Sequence, residues 1–192
     1  MHELPVRRRK LLGLVAGQWA VLMAGAAVPR PAPAQGVELV SLRATRSEGA
    51  LALDFNARIT LPRAVEEALS RGVPVYFTAE ATVRRNRWYW RDERVARVSR
   101  SWRVAYQPLT SNWRVGLGGL NQTHATLYEA LTAASRGAGW RLVELNQLDP
   151  DKSYYVEFEY RLDTTQLPSP MQFGLVTQGD WAVGASRTVR VE

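Results

Sequence analysis

Seven consecutive residues, Arg84-Arg85-Asn86-Arg87-Trp88-Tyr89-Trp90, bring three guanidinium groups and three large aromatic rings together. Guanidinium groups pair with carboxylates and phosphates and stack on rings. Tryptophan and tyrosine supply rigid contact area at interfaces. The run could therefore grip a partner protein, an acyl chain, a glycan or a nucleic acid. It could equally turn its tryptophans into a core and leave the arginines in water.

Elsewhere the residue types offer little chemistry. The chain has no cysteine, which excludes disulfides, thiolate zinc sites, iron–sulfur ligation and cysteine nucleophiles. Beyond the N-terminal segment the only histidine is His124. A zinc site would then need an unusual carboxylate-rich set, so neither a metal nor another cofactor is expected. His124 reads as a surface or capping residue at the start of a helix. Nothing in the sequence selects a serine and an aspartate to join it in a triad. Glu66-Glu67 and Asp92-Glu93 are neighbours in sequence, not the facing carboxylates of a glycosidase, and read as surface charges. Gly116-Leu117-Gly118-Gly119 lacks both the Lys-Ser/Thr of a phosphate loop and the dinucleotide spacing; it reads as a strand end and turn. An enzyme, as an uncharacterised hydrolase, is the least supported class. No catalytic residue is assigned.

The N-terminus bears on location. MHELPVRRRK is a basic leader with Arg7, Arg8, Arg9 and Lys10. An apolar run follows, LLGLVAGQWAVLMAGAAV, and PRPAPAQG ends it with Ala32 and Ala34 placed for cleavage before Gln35. This is the order of a secretory signal, so residues 1–34 are read as a signal peptide and the location as periplasmic. The run's length also suits an uncleaved anchor in the inner membrane, and membrane contact is expected through this leader only. Arg8-Arg9-Lys10-Leu11-Leu12 is a loose twin-arginine match. The leader contributes +4 of the formal +7, leaving the mature chain near +3. That charge is too mild to support a nucleic-acid partner.

The elements that must position the arginine–tryptophan run alternate with period two. Strands are predicted over 37–46, 49–60, 73–83, 94–109, 111–117, 140–145 and 153–163, with a further alternating tail from Ala185 to Val191. Two stretches change to helical period. LPRAVEEALSRG (61–72) begins with Pro62 near its first turn and stops at Gly72. THATLYEALTAASRG (123–137) carries Leu127, Ala130, Leu131 and Ala134 on one side and ends at Gly137 or Gly139. QLPSPMQF cannot be a central strand because of Pro168 and Pro170. Strands apolar on one face argue for antiparallel sheets with a solvated side. The expected fold is mainly β: an antiparallel β-sandwich, immunoglobulin-like in general form, with two short α-helices between strands. Residues 35–192 form one such domain.

Parity sharpens the opening question. On 73–83 the apolar residues are odd-numbered, yet Trp88 and Trp90 are even. Either a β-bulge or turn near 84–87 returns the tryptophans inward, or the strand continues and they stand on its open face. The bulge is the expectation adopted, because exposing two tryptophans is unusual; it leaves Arg87 and Tyr89 as the residues that meet a partner. The binding patch is assigned to Arg84, Arg85, Arg87, Trp88, Tyr89 and Trp90.

Several motifs together carry a resemblance. Gly72-Val73-Pro74 with Tyr76-Phe77, Arg87-Trp88-Tyr89-Trp90, Tyr106 followed by Leu109-Thr110, and Leu162-Asp163 with Leu167-Pro168 closely resemble the bacterial DUF4390 family over about residues 37 to 191. The resemblance implies an exported bacterial protein of unknown function, of a kind familiar from betaproteobacteria and often encoded near a sensor kinase of the nitrogen-regulation type. It supplies no catalytic residues or cofactor. The expected role is a non-enzymatic domain that binds an envelope protein, a sensor kinase or another envelope component. The alternative is a small-molecule or lipid binder, with an apolar ligand between the sheets or under a helix.

Overall fold

The computed structural model describes residues 36–87, 91–166 and 183–192. Nine strands and two α-helices follow in these segments: β1 (Val37–Ser47), β2 (Ala50–Ile59), α1 (Arg63–Ser70), β3 (Val75–Arg85), β4 (Glu93–Gln107), β5 (Asn112–Leu117), β6 (Leu120–His124), α2 (Leu127–Ala134), β7 (Arg136–Glu144), β8 (Tyr154–Leu162) and β9 (Gly184–Arg190). They build two antiparallel sheets, one ordered β1-β2-β7 and the other β6-β5-β4-β3-β8-β9. The fold is mainly β with two short helices.

Alternation explains which faces meet. Leu51, Leu53, Phe55 and Ala57 of β2, Val75, Phe77, Ala79, Ala81 and Val83 of β3, and Tyr154, Val156, Phe158 and Tyr160 of β8 are all buried. Removing such side chains from water is the main favourable term in folding. Phe55 sits at the junction of the sheets. Its ring centroid lies 5.9 Å from Trp102, 6.5 Å from Trp140, 4.9 Å from Phe158 and 5.8 Å from Tyr160. The Tyr160 hydroxyl, fully buried, donates a 2.9 Å hydrogen bond to the carbonyl of Ala134 at the end of α2. Gly137 of β7 lies against the Phe55 ring, where an added Cβ would come within 2.3 Å of a ring carbon.

Two predicted boundaries are corrected. Residues 120–124 are not the approach to a helix. They form β6, which folds back on β5 across Gly118-Gly119, with φ of +54° and +90°. Positive φ at both central residues is what a tight hairpin requires, and glycine adopts it without strain. Helix α2 then begins only at Leu127, where the Thr126 hydroxyl accepts from the Glu129 amide and the Glu129 carboxylate accepts from the Ala125 amide. It ends at Ala134, before Gly137 and Gly139, which belong to β7. The predicted short strand 140–145 is the second half of that longer β7. Helix α1 keeps its predicted place, with Val65, Ala68 and Leu69 buried. The leader at 1–34 and the proline-containing stretch from Leu167 lie outside the described residues.

Candidate binding surface at the β3–β4 turn

The chain turns from β3 to β4 between Arg85 and Glu93, so the arginine–tryptophan run straddles the end of one strand and the connection. Strand β3 runs against β8 without interruption to Arg85, opposite Tyr154, and the Asn86 amide continues to the carbonyl of Ser153 at 3.2 Å. Against β4 the register shifts: Val83 faces Ala96 but Arg84 faces Arg94, leaving Val95 as the extra residue. The extra residue is in β4, so it leaves the parity of β3 unchanged; β3 itself has no bulge as far as Arg85, after which the chain leaves the strand within the 84–87 interval where a bulge or turn was expected.

Because β3 stays regular, its arginines divide between faces. Arg84 is on the outer face and its Nε donates to Glu157 Oε2 at 2.6 Å. Arg85 and Arg87 both donate through Nη2 to Glu93 Oε2. The Arg87 amide donates to Asp92 Oδ1 at 3.1 Å, and the Tyr155 hydroxyl donates to Asp92 Oδ2 at 2.6 Å. Asp92 and Glu93, read from sequence as surface charges, thus fasten both flanks of the turn. Charge-assisted bonds of this kind are the stronger ones. The hydrogen bond from Tyr155, followed by that from the Arg87 amide, holds the Asp92 carboxyl below its ordinary range. The same bond to Asp92 pushes the Tyr155 phenol up to about 12. Trp88, Tyr89 and Trp90 lie outside the described residues, in the interval between Arg87 and Arg91.

Of the predicted patch, Arg84, Arg85 and Arg87 are brought together with three carboxylates, Asp92, Glu93 and Glu157. The cations are spent internally, so the cluster is not a free arginine fork for phosphate. Sequence reasoning missed Tyr155 and Glu157 as partners. Alternation had put both on the outer face of their strand, but only the β3–β8 register shows that they meet Arg84 and Asp92.

The other candidates fall apart from this turn. His124 ends β6 opposite Trp113. The residue is partly buried, its Nε2 enclosed without a hydrogen-bond partner among the described residues, and the helix cap is Thr126. Glu67 pairs with Arg63 and Arg71 on α1. Among the described residues no three histidine, aspartate or glutamate side chains gather as a metal-holding group. None of the helices there is long and apolar enough to cross a membrane.

Two features lie away from the turn. A groove of about 200 Å³ runs beside α2, lined by Val40, Ile59, Tyr128, Leu131 and Arg136 among others. Val40 is the extra residue of a bulge in β1 and is half exposed, and Tyr128 is largely exposed. On β4, Arg100 projects from the inner face, its guanidinium 5.1 Å from the Trp140 ring centroid. Burial lowers its proton affinity.

Two antiparallel sheets, two short helices and a turn clamped by paired arginines and carboxylates define a mainly-β domain without a recognisable reaction centre among the described residues. Residues 34–191 match the family model described as domain of unknown function (DUF4390), and the chain belongs to that family. Comparison with curated proteins and with solved structures found no match.

Proposed function

We propose that the chain is an exported envelope protein whose domain binds another protein or an envelope component through the β3–β4 turn. The clamp on that turn carries the reading. Both flanks are tied, Arg87 by backbone and side chain and Asp92 by two donors. A connection fastened at both flanks loses less entropy when a partner is engaged. The basic leader, apolar run and small residues before Gln35 support delivery to the periplasm. Cross-linking tests the reading: a photoreactive residue in place of Tyr89 gives one discrete product in the envelope, and Trp88→Ala reduces it more than about tenfold, as for an aromatic anchor. The exported protein begins at Gln35. An unchanged product from folded Trp88→Ala rejects the turn as the contact.

In its strand order the domain is immunoglobulin-like in general form. The run β9-β8-β3-β4-β5 parallels the G-F-C-C′-C″ sheet of a variable-type domain, and β1-β2-β7 parallels A-B-E, with β6 added to the larger sheet. The strands that such domains often join by a disulfide are here bridged by Phe55 and Phe158.

The groove beside α2 favours a second reading, a small apolar ligand under the helix. Four aromatic rings close around Phe55 between the sheets, which leaves the groove as the better place. Its volume is below the roughly 300–1,000 Å³ usual for ligand sites, so it suits the end of an acyl chain, with Arg136 at the rim for a carboxylate. Calorimetry with decanoic acid tests it. Saturable binding abolished by Leu131→Trp is the expected result, and no binding to the wild type rejects it.

A further inference from the structure

Strand β4 is more than twice as long as its neighbour β5, which pairs only with Trp102–Gln107. Among the described residues, Glu93–Ser101 therefore has β3 on one side and no strand on the other. An open strand edge presents a row of unpaired amides and carbonyls, and proteins manage such edges with charge and bulges. This edge has both, the bulge at Val95 and arginines at 94, 97 and 100. Their pairings differ. Arg97 is committed to Glu80 at 2.7 Å. Arg94 is exposed, Arg100 lies over Trp140, and neither has a carboxylate partner among the described residues.

That distribution chooses between occupants. A second copy of the chain would bring two arginine-bearing strands side by side, and like charges across a strand pair are destabilising. An acidic strand would meet Arg94 on the outer face and Arg100 at the inner margin, with Ala96 and Val98, both partly buried, beside its apolar positions. We propose that the open edge of β4 at residues 93–101 receives an extended acidic segment of a partner protein by strand addition. Main-chain pairing supplies the attachment and the arginines select the sign of the partner. The inference goes beyond the turn reading and does not depend on it: the edge is charged by Arg94 and Arg100, and its only share in the clamp is Glu93 at its very end.

The test titrates the full chain into a labelled eight-residue peptide of alternating glutamate and valine, read by fluorescence anisotropy. Saturable binding is expected. The same peptide N-methylated at its central amides cannot pair and should not bind. A lysine–valine counterpart should also fail. Arg94→Glu, at an exposed position, should weaken the acidic peptide about tenfold and admit the lysine one. Absence of binding by the acidic peptide overturns the proposal. So does equal binding of the N-methylated form, which would mean charge attraction without strand pairing, and so does self-association of the chain through this edge.

Discussion

Tyr155 and Asp92 share one proton-bearing contact, and its pH limits follow from the two shifts. Asp92 titrates below its ordinary value in the folded chain, so its contribution is present above the unfolded carboxylate pKa and is lost as pH falls through the lowered one. Tyr155 is shifted the other way. Its contribution is complete below the unfolded phenol pKa near 10 and is lost as pH rises toward about 12. The turn should therefore stay clamped from the ordinary carboxylate range up to about pH 10. Ultraviolet titration should show one tyrosine ionising near 12 that Tyr155→Phe removes, with faster amide exchange at Arg87 in the same variant. A wild-type titration in which removing Tyr155 changes nothing at the high end would refute the contact. Neither partner could have been assigned from residue type alone, because Asp92 beside Glu93 looks like any hydrophilic turn. The contact depends on a register between strands far apart in sequence.

At the level of elements, Gly137 shows how a strand can masquerade as a helix end. Glycine after an apolar helical stripe is a standard stop signal, and Gly137 or Gly139 fits it. Here the missing side chain serves β7, whose backbone lies on Phe55. Gly137→Ala should destabilise the fold by about 1–3 kcal/mol through overpacking, seen as a lower thermal midpoint. Adding Phe55→Leu should restore part of the loss, because the two sites touch and their effects will not add; an unaltered midpoint in Gly137→Ala would contradict the packing. The strands β2, β3 and β8 were legible because their inner faces are apolar at every second position. Strand β6 was not: Leu120-Asn121-Gln122-Thr123 is exposed and carries no apolar face. Only Gly118-Gly119 announced a hairpin there. Parity set Trp88 and Trp90 off the alternation of β3, but β3 itself stays regular to Arg85, and the extra residue near this end, Val95, belongs to β4.

For the whole molecule, one-sided alternation was enough to foresee two antiparallel sheets with two helical excursions. It could not assign strands to sheets, because β7 joins β2 across a long interval filled by four other strands. The resemblance in short motifs anticipated the family, and the family model spans residues 34–191. The arginine–carboxylate cluster was half legible. Its arginines were singled out by density, while the carboxylates that occupy them come from the turn and from β8.

The ring of Phe55 also has a kinetic meaning. Its aromatic partners come from β4, β7 and β8, all much later in the chain, and the two sheets close around it. No local segment can assemble that centre by itself, so the closure entropy of long loops precedes the contacts that repay it. Such a domain belongs among the slow, millisecond-to-second folders. Under the proposed export, a chain slow to fold stays threadable for longer.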